Sequence, residues 1–228
     1  FYHMLDDFPA ETLSVAIPKF HDTRNYYNRL MGAIENNAAG RVGSVEAEIK
    51  FVKEHEFLAD ILNNGLADGS IPLRVTHNDT KLNNILFDAP TGKGLCVIDL
   101  DTVMPGSVLY DFGDAMRFGA ASGPEDEKDL DKVFSRKEYF EALVKGYLKD
   151  AKFLNAAELD ALAFSGRLIT LTIGIRFLTD YLAGDTYFRT AYDDHNLVRC
   201  RTQLKMVQSM EDQRDEYERI VRETAKSL

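Results

Sequence analysis

The chain has 228 residues, 45% of them hydrophobic, enough for one large or two small domains with a substantial core. A formal net charge of -10 and a pI near 5.0 exclude a general nucleic-acid binder, which neutralises phosphates with clustered Lys and Arg. Cys96 and Cys200 lie far apart without C-x-x-C spacing, which excludes a disulfide framework or cysteine zinc site and fits a reducing cytoplasm.

The chain opens Phe1-Tyr-His-Met-Leu-Asp-Asp7 without a charged segment leading an apolar one, so no signal peptide is expected. Residues 1–23 read as an irregular lead-in with one short helix. Tyr26, Tyr27, Leu30, Met31 and Ile34 recur at helical spacing, predicting a helix from about Thr23 to Asn37 that Asn36-Asn-Ala-Ala-Gly40 stops. A second helix is expected from an N-cap at Ser44, with Glu46 and Glu48 in its first turn, to Asn64-Gly65. Ile71–Val75 reads as extended, His77–Asn84 as a polar loop, and Ile85–Phe87 as pairing with Leu95–Ile98 across a Pro/Gly turn.

Met104-Pro-Gly106 is predicted to turn the chain before a helix at Tyr110–Arg117. Ser135-x-x-Glu138 reads as a capping box, and Asn155-x-x-Glu158 as its counterpart ahead of a long apolar helix reaching about Leu182. Arg167, Arg176 and Asp180 interrupt that helix, leaving less than the ~20 apolar residues a membrane span needs, so it is expected at the centre of a bundle. Gly184 should cap it, and one last helix should run from His195 to the C-terminus. The expected fold is α+β, mainly helical, a single domain over residues 1–228 with a small β-hairpin carrying the functional loops.

Polar residues concentrate in Val75–Asp101, beyond what a half-buried hairpin requires. Phosphoryl transfer needs a carboxylate to deprotonate the acceptor hydroxyl, hard oxygen ligands for metal ions on the phosphates, and positive charge at the transferring group. The kinase catalytic loop has the form H-R-D-x-x-x-x-N, and the string here is His77-Asn-Asp79-Thr-Lys81-Leu-Asn-Asn84. This pattern assigns Asp79 as the base, Lys81 toward the transferring phosphate and Asn84 as a metal ligand. The hairpin would deliver Asp99 as the metal-binding carboxylate, with Asp101 assisting if the chain stays extended. His77 is expected to hold the loop by hydrogen bonds. A literal Asp111-Phe-Gly113 invites assignment as the kinase metal motif, but it lies beyond a further Pro-Gly turn, so Asp111 is expected to anchor the loop or cap the next helix. A hydrolytic metal centre of His77, Asp79 and Asp99 is the rival chemistry, and leaves Lys81 and Asn84 without a role.

With Phe20-His-Asp-Thr23, Arg74-Val-Thr-His-Asn-Asp-Thr-Lys81, Val97–Gly106, Tyr110–Asp114 and Gly174–Tyr181 added, the chain resembles the aminoglycoside phosphotransferase/choline kinase family of protein-kinase-like fold. It looks closest to bacterial N-acetylhexosamine 1-kinases. The resemblance implies a protein-kinase-like C-terminal lobe, ATP as co-substrate, Mg2+, and N-acetylglucosamine or N-acetylgalactosamine phosphorylated at the anomeric hydroxyl, with Asp79, Arg176 and Tyr187 contacting the sugar. It also implies that the N-terminal nucleotide lobe is absent from this sequence, since nothing before residue 70 reads as its sheet. Kinases for choline, an aminoglycoside or homoserine are the alternatives within the resemblance, and a non-catalytic pseudokinase-like binding module the alternative outside it.

Overall fold

In a computed structural model describing residues 1–5 and 7–228, helix α1 (Thr23–Asn36) starts where Asp22 accepts the Asn25 amide at 3.0 Å. It ends at Asn37 in the left-handed conformation, φ 43°. The predicted second helix divides into α2 (Glu46–Glu54), a 3-10 turn at Glu56–Leu58 and α3 (Ile61–Asp68). Ser44 does not cap it, because its hydroxyl donates to the Arg41 carbonyl at 2.7 Å and Val45 takes the cap position. The break falls at His55, whose ring folds back to stack on Phe51 and whose Nδ1 bonds to the Phe51 carbonyl at 2.7 Å. Asn64-Gly65 does not end α3, since the Ile71 side chain packs over Gly65 and the chain turns instead at Gly69.

Strands β1 (Arg74–Thr76), β2 (Ile85–Phe87), β3 (Gly94–Val97) and β4 (Met104–Gly106) form two antiparallel pairs, β1 with β4 and β2 with β3. The β2–β3 hairpin has the expected partners, with Leu86 opposite Cys96 and an irregularity between Leu86 and Phe87. Met104-Pro-Gly106, expected as a turn, is instead a strand: Thr76 faces Met104 and donates its hydroxyl to the Met104 carbonyl at 2.9 Å. Gly106 allows this pairing, because a Cβ there would run into the Thr76 hydroxyl and lie 3.2 Å from Asn78 Oδ1.

Five helices complete the chain: α4 (Val108–Gly119), α5 (Lys137–Asp150), α6 (Ala156–Leu182), α7 (His195–Asp212) and α8 (Arg214–Ser227). Ser135 does not cap α5. Its amide donates to Ser209 Oγ at 3.0 Å and its hydroxyl accepts from Tyr217 at 2.7 Å, so it ties α7 and α8 down instead. The Asn155–Glu158 box forms in full: Asn155 Oδ1 accepts the Glu158 amide at 2.8 Å and Glu158 Oε2 accepts the Asn155 amide at 2.9 Å. The expected last helix breaks at Gln213, whose side-chain amide donates to the carbonyl of Ser135 at 2.9 Å.

Helix α6 is the axis of the molecule, with α1, α4, α7 and α8 packed around it. Its length and apolar character do suffice to cross a membrane, contrary to the expectation from its charges, but 78% of its most apolar window is buried against the other helices. Thr170 and Thr172 return their hydroxyls to carbonyls four residues back, at 2.7 and 2.8 Å, so polar residues sit in this interior without an unpaired hydroxyl. Glu158, fully buried at its start, accepts Arg74 at 2.8 and 3.0 Å and so fixes β1 to the bundle.

Where α4 crosses α6, a Cβ on Gly113 would lie 2.5 Å from the Ser165 carbonyl oxygen, a backbone atom that cannot swing aside. Gly113→Ala is therefore expected to destabilise the protein by about 1–3 kcal/mol, the range for overpacked interiors, as read from urea unfolding midpoints.

Candidate active site

The loop between β1 and β2 is held by its backbone before its Asp79 and Lys81 side chains are placed. The Asp111 carboxylate, buried in the first turn of α4, accepts the amides of His77 at 2.7 Å and Asn78 at 2.6 Å, and the Tyr2 hydroxyl as a third donor. Thr80 donates to the Asp111 carbonyl at 2.6 Å, and Thr102 donates to the His77 carbonyl at 2.7 Å. Asn78 takes a left-handed conformation, φ 66°, and its side-chain amide donates to Thr102 at 3.0 Å and Thr76 at 3.3 Å. Asn tolerates that conformation better than other non-glycine residues, which suits it to this position.

His77 is also a fixture of the loop. A carbonyl can only accept, so Nε2 carries the proton to Ile98 at 3.0 Å and leaves Nδ1 to accept the Asp79 amide at 3.3 Å. Asp79 then projects a half-buried carboxylate whose Oδ2 accepts from Asn84 at 2.9 Å and from Lys81 at 2.7 Å. The Lys81 ammonium is thus on the carboxylate itself, and that hydrogen bond raises its pKa. Asn84 is buried, its amide also reaching the Asp79 carbonyl at 2.9 Å, while its own carbonyl accepts the Ile98 amide at 2.9 Å and ties the loop to the end of the hairpin.

One residue further, Asp99 is left-handed, φ 63°, and exposed. The chain does not stay extended to Asp101 but enters a 3-10 turn over Leu100–Thr102. The two side chains nevertheless meet: a hydrogen bond with Asp101, then its negative charge, raises the Asp99 pKa. Two carboxylates pressed together in solvent fit a divalent cation, which would relieve the repulsion. Asn84 spends its side-chain nitrogen on Asp79, which makes its side-chain oxygen the end that could face an ion. No group of three or more His, Cys, Asp or Glu forms a closed metal site among the described residues. The donor set suits Mg2+, which takes one or two carboxylates and completes its shell with water and phosphate oxygens.

Arg176, on α6, is half-buried with its guanidinium 5.1 Å from the Tyr26 ring, 5.5 Å from Phe188, 5.7 Å from Phe20 and 6.0 Å from Tyr187. It makes no ion pair with Asp180, the partner its helix offers. Asp180 accepts the amides of Thr186, Tyr187 and Phe188 at 2.8–2.9 Å and Asn196 at 2.8 Å, fixing the loop that carries the exposed Tyr187 ring. A surface cavity of about 820 Å³ is lined by Phe1, Tyr2, Tyr147 and Phe153 but not by Asp79.

Sequence reasoning passed over three contributors: Tyr2, Asp114 and His21. Asp114 is buried in an ion pair with Arg117 at 2.9 Å, and His21 donates to the Asn78 carbonyl at 2.9 Å. Tyr2 and His21 lie 109 and 57 residues from their partners, so no local pattern links them. The polar string Phe20-His-Asp-Thr23, ahead of an apolar helix, was the available signal for His21.

Comparison with known families finds that the profile described as phosphotransferase enzyme family matches residues 12–153. The matched segment includes α1, both strand pairs, the loop from His77 to Asn84, and Asp111.

Burial pushes the Asp111 carboxyl up to about 6, against the donors at Tyr2, His77 and Asn78. An acid raised in this way holds its proton more tightly folded than unfolded. Its contribution to stability is therefore present at low pH and declines as pH rises from about 4 to about 6. Tyr2→Phe removes a donor to the charged form, worth ~1.5 kcal/mol, and is expected to raise the Asp111 midpoint by about one unit. Carboxyl-carbon NMR titration checks this; an unmoved midpoint would remove Tyr2 from the anchor.

Proposed function

We propose, because this chain belongs to the phosphotransferase enzyme family, that it is the acceptor-side lobe of an ATP-dependent kinase that phosphorylates a sugar hydroxyl. The acceptor we favour is an N-acetylhexosamine at its anomeric position. The observation that carries the reading is the Asp79 carboxylate, held by Asn84 and Lys81 at 2.9 and 2.7 Å on a loop whose backbone is locked from behind by Asp111. A protein-kinase-like lobe accounts for that arrangement. Among the described residues the first strand is β1, at Arg74–Thr76, so this reading gives the chain the acceptor side of the cleft and assigns none of its residues to covering the nucleotide phosphates.

Asp79 orients the acceptor hydroxyl and takes its proton as the oxygen attacks the terminal phosphorus, whose bond to the departing ADP oxygen breaks. The product is a sugar 1-phosphate. Lys81, starting on the Asp79 carboxylate, supplies positive charge beside the incoming phosphoryl group. Asn84, Asp99 and Asp101 would hold Mg2+, which when bound neutralises charge on the phosphate oxygens.

Arg176, faced by Tyr187 on the loop fixed by Asp180, supports recognition of an uncharged polyol: a guanidinium offers several donors in one plane, and sugar faces stack on aromatic rings. The rings around Arg176 already hold a cation, which argues against a choline cage.

Assay of the full-length protein with Mg-ATP against N-acetylglucosamine, N-acetylgalactosamine, an aminoglycoside, choline and homoserine should give sugar 1-phosphate from an N-acetylhexosamine. Asp79→Asn is expected to lower kcat by roughly 10²–10⁴-fold, the contribution of a positioned general base. An unimpaired variant removes Asp79 from that role. Asp99→Asn should raise the Mg2+ concentration for half-maximal rate by about tenfold or more, a loss of at least ~1.4 kcal/mol of ion binding; an unchanged requirement removes Asp99 from the ion.

A further inference from the structure

Asp79 is the reactive carboxylate in the reading above, and its direction depends on the peptide plane that precedes it. That plane joins Asn78 to Asp79, and each of its two polar atoms bonds to an imidazole. The amide hydrogen of Asp79 goes to Nδ1 of His77 at 3.3 Å, and the carbonyl oxygen of Asn78 accepts from Nε2 of His21 at 2.9 Å. His77 belongs to the loop itself. His21 belongs to the segment leading into α1, and its ring is wedged between Phe20, with centroids 4.6 Å apart, and Tyr110 of α4, at 5.0 Å.

The left-handed Asn78, φ 66°, gives this plane its orientation. Asn78 is buried, so its carbonyl cannot turn to bulk water for another donor. His21 is itself 7% exposed, and burial lowers its pKa to about 4, so the neutral ring has one proton, which Nε2 must carry to reach the carbonyl. Its other nitrogen, Nδ1, meets no hydrogen-bond partner among the described residues. The charged groups acting on the ring are Asp114 of α4, Arg176 of α6 and Arg117 of α4, all from elements that surround the loop.

We propose that His21 is a positioning residue for Asp79: its Nε2–H holds the Asn78–Asp79 peptide plane from the α1 side while His77 holds it from within the loop, and together they set the direction of the carboxylate. This rests on the assignment of Asp79 as the base. Phe20, the neighbour of His21, has its ring 5.7 Å from the Arg176 guanidinium, so the same segment borders both parts of the site.

The test uses the full-length protein and two variants. His21→Phe keeps the ring and removes the donor; His21→Gln keeps an N–H at a similar reach. With Mg-ATP and an N-acetylhexosamine, His21→Phe is expected to lower kcat about 10–100-fold, the scale of a misplaced reacting group, while KM for ATP changes by less than about twofold. His21→Gln should recover most of that loss. A Phe variant with wild-type kcat, or a Gln variant that falls as far as Phe at equal thermal stability, overturns the proposal. If the wild type phosphorylates no acceptor, the assignment of Asp79 fails on its own terms and the strut is judged by hydrogen exchange. The Asp79 amide should then exchange faster in the Phe variant than in Gln, and equal rates overturn it. Should the Phe variant not fold, imidazole nitrogen shifts in the wild type decide. A neutral Nε2–H tautomer with coupling to the Asn78 carbonyl supports the strut, and a proton on Nδ1 overturns it.

Discussion

The Asp111 carboxylate is the interaction on which the rest of the site depends. It presents two oxygens to two consecutive backbone amides, His77 and Asn78, at 2.7 and 2.6 Å, and so dictates the path of the chain just before Asp79. A buried carboxylate is costly unless its lone pairs are filled, and here the loop backbone and the Tyr2 hydroxyl fill them. Helix and loop therefore need each other: the carboxylate is tolerated in the interior because the loop satisfies it, and the loop keeps its shape because the carboxylate does not move.

That carboxylate is only as rigid as α4, and α4 is placed by α6. The close crossing at Gly113 and Ser165 sets the depth of α4, and the Arg74–Glu158 pair sets the height of β1 against the same helix. Both ends of the loop's support thus refer to one buried helix, whose hydroxyls and capping box are satisfied internally. Asp79 and Lys81 can then be half-exposed without losing their geometry. Asp79, Lys81 and Asn84 lie within one hydrogen-bonded unit, whereas Asp99 and Asp101 face each other, their repulsion only partly offset by the charge of Lys81.

Asp111-Phe-Gly113 shows how a short string can mislead. Its resemblance to a kinase metal motif is literal, yet each residue is spent on architecture: Asp111 on the loop amides, Phe112 in the core, and Gly113 at the helix crossing. The opposite error occurred at Ser135, where a capping pattern was present but Tyr217 and Ser209 claimed the serine first.

What the sequence by itself determined is whatever depends on neighbours along the chain. The periodicity of α1, the box at Asn155 and Glu158, the β2–β3 hairpin and the spacing from His77 to Asn84 rest on contacts within about ten residues, so composition and order suffice to see them. Tertiary structure alone decided the break at Gln213, the pairing of Met104–Gly106 with β1, and the tethers from Tyr2 and His21. In each of those, a polar group pairs with a residue far along the chain. The assembled core decides such pairings, because an unpaired polar atom buried there is costly, and no local pattern announces them.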